Sequence, residues 1–205
     1  MADKAPWDQR LARIIVRPLA RTAITPNQIT ILTLILALAG AAMFAQGTPE
    51  TVNWGAGFFI LARFMDHFDG ELARMTGKTS RLGYYLDYLS GGVSYAALFI
   101  CIGIGLGNAS FAGVSLGIWP AILGCLAGAG AFASMFINLK IDRQMELEEG
   151  EAIGYPGFAG FELEDGIYLL GPVTWVGLLT PFFLLAAPSA IIYTLWSLAI
   201  SLRKG

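Results

Sequence analysis

Long runs almost free of charge recur along this chain, and a helix of about 20 apolar residues is what crosses the hydrocarbon of a bilayer. The first runs from Ile29 to Ala45, and others cover 53–74, 82–107, 114–140, 165–187 and 189–202. Only 14% of the 205 residues are charged and 56% are hydrophobic, where soluble chains carry about 25% charge. An ordinary water-soluble domain is excluded, and little length remains for a second domain. The fold expected is a single membrane domain over 1–205: an all-α integral membrane bundle of six transmembrane helices over 25–205, its last two spans divided at Pro188, preceded by a juxtamembrane segment over 1–24.

That segment carries Arg10, Arg13, Arg17 and Arg21 at helical spacing, with Trp7, Leu11, Ile14, Ile15, Val16 and Leu19 between them. The arginines rule out a cleavable signal peptide and suit an amphipathic interfacial helix on an anionic membrane surface. Thr25-Pro26-Asn27 stops it and opens the first span. Residues 46–52 contain no Lys or Arg, residues 108–113 no charge, and the turn at Pro188 none; Lys78, Arg81, Lys140, Arg143, Arg203 and Lys204 fall in the alternate connections and the tail. By the positive-inside rule both termini are expected in the cytoplasm, in a multi-pass protein of the cell's inner membrane. Thirteen basic against 15 acidic residues leave a net charge of −2, so no nucleic-acid footprint exists. Cys101 and Cys125 lie inside apolar runs and read as small hydrophobes. Gly103, Gly105, Gly107, Gly117, Gly124, Gly128 and Gly130 permit close helix packing or self-association.

The second span is different. Arg63, Asp66, Asp69, Glu71 and Arg74 share one half of it, at roughly 2.5–3.5 kcal/mol for each charge near a helix centre. Such groups must face a polar cavity, a metal or one another. At about 100° per residue, Asp66, Asp69, Gly70 and Ala73 share one face, flanked by Arg63 and Arg74; on the third span Gly83, Asp87, Ser90 and Ser94 share another. Three carboxylates, Asp66, Asp69 and Asp87, can thus converge on a hard divalent cation. Salt bridges of Asp66 or Asp69 with Arg63 or Arg74 are the structural alternative. Gly70 and Gly83 remove bulk beside the carboxylates, as a flat or phosphorylated ligand would require.

The spacing Asp66-x2-Asp69-Gly70-x2-Ala73-Arg74-x8-Gly83-x3-Asp87-x3-Gly91 resembles the signature of the CDP-alcohol phosphotransferase family, which ends in a fourth aspartate where this chain has Gly91. Seven of eight signature positions match. The span count, the amphipathic first helix and the Thr-Pro-Asn opening are also similar to the family. The resemblance implies a phospholipid-synthesising transferase that moves a substituted phosphate from a CDP-linked alcohol to an acceptor alcohol and releases CMP, working as a homodimer with Mg²⁺ or Mn²⁺. It implies one or two ions held by Asp66, Asp69 and Asp87, and a nucleotide site shaped by Gly70, Ala73, Arg74 and Gly83.

In the family the last aspartate is the proposed general base, so at Gly91 the resemblance transfers no base. Asp165 or Glu164, at the start of the fifth span, is a substitute carboxylate. Arg81, Lys140 and Arg143 are candidates for an acceptor phosphate, whereas Glu146, Glu148, Glu149 and Glu151 suit a neutral or cationic alcohol better. Residues 150–166, rich in glycine and aromatics, are a candidate cover for the cavity. His67, the single histidine, lies about 100° around the helix from Asp66 and reads as a hydrogen-bonding neighbour of the ligands or an interfacial residue, not as a ligand. Two rivals stand beside the transferase: a noncatalytic relative that binds CDP-lipid or nucleotide, and a small transporter whose carboxylates conduct cations.

Overall fold

Helix boundaries follow local signals in the chain, seen here in a computed structural model. It describes residues 7–149 and 163–204, with backbone alone for 141–149, 163–165 and 203–204. Helix α1 (Trp7–Val16) leads through a 3₁₀ turn to α2 (Pro26–Ala45). A capping box opens α2: Gln28 N–H donates to Thr25 Oγ1 at 3.4 Å, Thr25 N–H donates to Gln28 Oε1 at 2.9 Å, and Pro26 supplies a preset φ. Helix α3 (Pro49–Thr76) starts at Thr48 and stops at Gly77, whose φ of 66° is left-handed. Helix α4 (Arg81–Gly105) is capped by Ser80, whose Oγ accepts the Gly83 N–H at 3.0 Å.

The fourth apolar run, expected from residue 114, becomes helical only at Trp119. Before it, β1 (Ser110–Phe111) and β2 (Val114–Ser115) pair around Ala112 and Gly113, both at positive φ, the backbone that a two-residue hairpin turn demands. Helix α5 (Trp119–Glu149) then runs well past residue 140.

The last two expected spans need correction. No break occurs at Pro188, which lies inside one continuous helix, α7 (Leu179–Lys204). The break is at Gly177, after a 3₁₀ segment (Leu163–Leu169) and the short α6 (Leu170–Trp175). Gly177 has φ 78°; its N–H donates to the Thr174 carbonyl at 2.9 Å, and Leu178 N–H donates to the Val173 carbonyl at 2.7 Å. This is a Schellman motif, which ends a helix decisively. Proline inside an apolar helix removes one hydrogen bond but does not force a turn where no water competes for the backbone.

Apart from the two-residue strands, every regular element of the described chain is a helix. Among the described residues four helices are long and apolar enough to cross a membrane, Pro26–Ala45, Arg81–Gly105, Trp119–Lys140 and Leu179–Leu202, which marks this as a membrane protein. Helix α3 is as long, but its charges set it apart. Helices α2 and α3 form an antiparallel hairpin at backbone contact: a Cβ on Gly40 would stand 2.8 Å from the Gly55 oxygen, and one on Gly55 2.7 Å from the Gly40 oxygen. Helices α4 and α5 approach in the same way, with Gly103, Gly124 and Gly128 against the backbones of Pro120, Phe99 and Ala96. These glycines therefore serve packing within the chain.

Phe44, Phe59, Ala62, Leu98, Leu170 and Phe183 form the central core. A second cluster, Ala12, Val16, Ile29, Phe68 and Leu72, fixes α1 beside α3. The other face of α1 leaves Trp7, Leu11, Ile14 and Ile15 exposed.

Candidate active site

At one end of the bundle the start of α2, the last turns of α3 and the start of α4 enclose a cavity of about 230 Å³. Asp69, Gly70, Ala73 and Arg74 line it from α3, and Gly83 and Asp87 from α4. Six of the residues expected to form the site therefore do share one cavity. Pro26, Asn27 and Thr30 of α2, Tyr84 of α4 and residues 78–80 of the connecting loop complete the lining.

Asp69 is buried, and both its oxygens are engaged: Oδ2 accepts the Thr30 hydroxyl, and Oδ1 accepts the Gly70 N–H at 2.6 Å. Asp66, one turn earlier, is not part of the lining. Its Oδ2 accepts Arg63 Nη1 at 2.8 Å, and the Arg63 guanidinium lies 5.3 Å from the centre of the Tyr95 ring. The salt-bridge alternative thus holds for Asp66 and not for Asp69. Asp87 is exposed to the cavity.

The two motif glycines have particular neighbours. A Cβ on Gly70 would stand 3.4 Å from Arg74 Nη1, and one on Gly83 would stand 2.9 Å from Asn27 Oδ1 and 3.1 Å from Ser80 Oγ. Gly83 lets α2 and α4 close on each other; at Gly70 a Cβ would make only an ordinary contact with the Arg74 guanidinium, which lies back along α3.

Arg74 is held from below. Its Nη2 donates to Glu71 Oε1 at 2.7 Å, and Glu71 Oε2 accepts Arg13 Nε of α1 at 3.1 Å. Glu71 is 2% exposed, Arg13 37% and Arg74 59%. A second tie lies about one turn away, where the buried Asp8 of α1 accepts His67 Nε2 at 2.9 Å and the Tyr168 hydroxyl at 3.3 Å. His67 therefore pairs with α1 rather than with the cavity's carboxylates. Residue reading from sequence missed Thr30, Arg13 and Asp8; a hydroxyl inside the first apolar run and an acid on a basic helix were the signals.

Among the other expected residues, Arg81 and Lys140 are exposed and stand outside the cavity lining. The side chains of Arg143, Glu164 and Asp165, and segment 150–162, lie outside the described residues. Gly91 is buried with Met135 Cε 3.6 Å from where a Cβ would stand.

The donor chemistry suits a divalent cation: hard carboxylate oxygens, each keeping lone pairs beyond the one its hydrogen bond uses. The convergence of three carboxylates expected from helical angles is not in place, since among the described residues no three acidic, His or Cys side chains form a ready metal cluster. Arg63 holds Asp66 aside.

Comparison with known proteins bears on family and fold. The chain is 35% identical over 92 residues to an archaetidylinositol phosphate synthase of Pyrococcus horikoshii, covering 44% of this chain and 47% of that one. It is 30% identical over 151 residues to a bifunctional IPC transferase and DIPP synthase of Rubrobacter xylanophilus, covering 67% of this chain and 33% of the relative. The aligned region thus spans about half or less of the curated relatives' length. Among solved structures, the phosphatidylinositol phosphate synthase of Mycobacterium tuberculosis with CDP-DAG bound superposes with a TM-score of 0.66 at 22% identity over 94% of both chains, which shows the same fold. A form of that protein in complex with manganese and citrate gives a TM-score of 0.65 at 23% identity, covering 93% of this chain and 88% of that one. The model of the CDP-alcohol phosphatidyltransferase family matches residues 23–202, so nearly the whole chain is accounted for and it belongs to that family.

Proposed function

We propose that this protein is a membrane transferase of phospholipid synthesis that moves a substituted phosphate from a CDP-linked alcohol to an acceptor alcohol and releases CMP. The observation that carries the reading is the joint presence of Asp69, Gly70, Ala73, Arg74, Gly83 and Asp87 around one cavity. A cation channel has no use for a guanidinium laid along that cavity, and the family match speaks for transfer over mere binding.

In this reading the acceptor hydroxyl oxygen bonds to the phosphorus that carries the donor alcohol as its proton passes to water or to a carboxylate such as Asp165. The bond from that phosphorus to the bridging oxygen breaks, and CMP leaves with the electron pair. Asp66, Asp69 and Asp87 would hold Mg²⁺ or Mn²⁺, and the bound metal supplies charge neutralisation on the diphosphate. Thr30 and the Gly70 N–H fix the Asp69 carboxylate. Arg74 adds fixed positive charge toward the diphosphate. Swinging Asp66 away from Arg63 would complete the ligand set, with Arg63 remaining over Tyr95.

Six crossings are retained in this reading, with residues 163–175 as a short fifth and the turn at Gly177 replacing the one at Pro188. In the same reading, which the charge bias supports, the cavity and both termini face the cytoplasm, α1 lies in the interface of the inner membrane, and the unit is a homodimer. Two of the proteins it resembles are named archaetidylinositol phosphate synthase and phosphatidylinositol phosphate synthase, so inositol phosphate is the acceptor to try first, with Arg81, Lys140 and Arg143 as its cationic contacts.

The test is CMP release from CDP-diacylglycerol with inositol phosphate and Mg²⁺ or Mn²⁺, in detergent or vesicles. Metal- and acceptor-dependent release supports the reading. CDP binding without release across a panel of alcohols would favour a noncatalytic relative.

A further inference from the structure

The two arginines on Glu71 do different things. Arg74 reaches the cavity, whereas Arg13 comes from a surface helix that does not line it. A buried carboxylate beside Arg74 alone would neutralise it, leaving a pair of no net charge next to the place where a diphosphate must bind. With Arg13 on the second carboxylate oxygen, the Glu71 charge is shared between two guanidiniums instead of being spent on Arg74 alone, and the most exposed of the three side chains is Arg74, at 59%. Each Glu71 oxygen is used by one arginine, which also fixes the plane of the carboxylate and hence the direction of the Arg74 guanidinium. That guanidinium lies along α3 beside Gly70, 3.4 Å from where a Cβ would be.

We propose that Arg13 and Glu71 are positioning residues for Arg74, so that α1 forms part of the device presenting positive charge to the donor diphosphate; this rests on the transferase reading above. The apolar face of α1, Trp7, Leu11, Ile14 and Ile15, stays exposed while Asp8 and Arg13 tie its other face to α3. Seating of that helix is thereby coupled to the electrostatics of the cavity, which a purely structural anchor would not be.

The experiment measures binding of CDP, CMP and cytidine, with Mg²⁺ or Mn²⁺, to the full chain by calorimetry, alongside steady-state CMP release and thermal unfolding. Variants are Arg13→Gln and Arg13→Lys, with Arg10→Gln as a surface control on the same helix. Arg13→Gln is expected to weaken CDP about tenfold, near 1.4 kcal/mol, and to raise the donor KM about as much, with kcat within about twofold, the split expected when binding is lost uniformly. Cytidine binding stays unchanged, Arg13→Lys recovers most of the loss, and Arg10→Gln matches the parent. Unchanged CDP affinity in Arg13→Gln overturns the proposal, as does an equal loss for cytidine and CDP or a loss that Arg13→Lys fails to repair. If Arg13→Gln lacks a cooperative melting transition, Arg13→Met, which keeps the packed aliphatic stem, carries the same expectations. Failure of the parent protein to bind CDP at all would sink the transferase reading instead.

Discussion

The Thr30 hydroxyl on α2 donates to the Asp69 carboxylate on α3, joining the first helix of the hairpin to the acid at the floor of the cavity. The same hydroxyl lies 3.3 Å from the Pro26 carbonyl, its own helix's first turn. The first turn of α2 and the cavity's buried acid thus meet at one side chain.

Thr30→Val keeps the shape of the side chain and removes the donor. A hydrogen bond to a charged group contributes about 1.5–3 kcal/mol, so CMP release is expected to fall by about ten- to a hundredfold, while Thr30→Ser retains most of it. Turnover of Thr30→Val within about twofold of the parent would show that the contact is incidental.

Restoring an acid at residue 91 tests where the acceptor proton goes. Gly91 has space beside Met135, at an ordinary contact distance of 3.6 Å from the would-be Cβ, so Gly91→Asp is expected to fold. General bases contribute about 10²- to 10⁴-fold, and a gain in kcat of about tenfold or more is expected. A fully active parent with no gain in Gly91→Asp would place proton removal on another group, and loss of activity in Asp165→Ala would then identify it.

Much of this architecture was legible because membrane segments and motif spacing are periodic. The runs beginning at Ile29, 53 and 82 became α2, α3 and α4 with shifts of a few residues, and helical angles grouped Asp69, Gly70 and Ala73 on one helix face and Gly83 and Asp87 on another, faces that the short loop between α3 and α4 brings to one cavity. Two kinds of feature were not legible. A Schellman stop depends on backbone hydrogen bonds at Gly177 that no hydropathy window registers, so Pro188 attracted the break. Contacts between elements far apart in sequence, such as Asp8 with His67 and Arg13 with Glu71, depend on how α1 lies across α3. Its arginines looked equivalent until packing singled out Arg13. Asp66 shows the same limit: angle put it on the carboxylate face, but Arg63 three residues away captured it.

Asp8 anchors α1 through two partners. Removing its carboxylate in Asp8→Ala takes away the acceptor that part-buried His67 Nε2 and the Tyr168 hydroxyl share, and a typical hydrogen bond contributes about 0.5–1.5 kcal/mol. Thermal unfolding in detergent is expected to shift down accordingly, with α1 becoming more accessible to protease. His67→Ala should cost less than Asp8→Ala, because Asp8 would keep Tyr168. Equal melting temperatures for Asp8→Ala and the parent would mean that the cluster of Val16, Ile29 and Leu72 holds α1 by itself.

The corrected break makes opposite demands on two residues. Gly177 has φ 78°, with nothing within 4 Å of a would-be Cβ, so Gly177→Ala meets no clash and suffers only the left-handed backbone penalty of roughly 1–2 kcal/mol. Pro188 sits inside α7, where alanine would regain a backbone donor for the Leu184 carbonyl and favour the helix. Gly177→Ala is therefore expected to lower the melting temperature, and Pro188→Ala to leave it unchanged or raise it. If instead Pro188→Ala were the more damaging substitution, the chain would turn at Pro188 and α7 would be two helices.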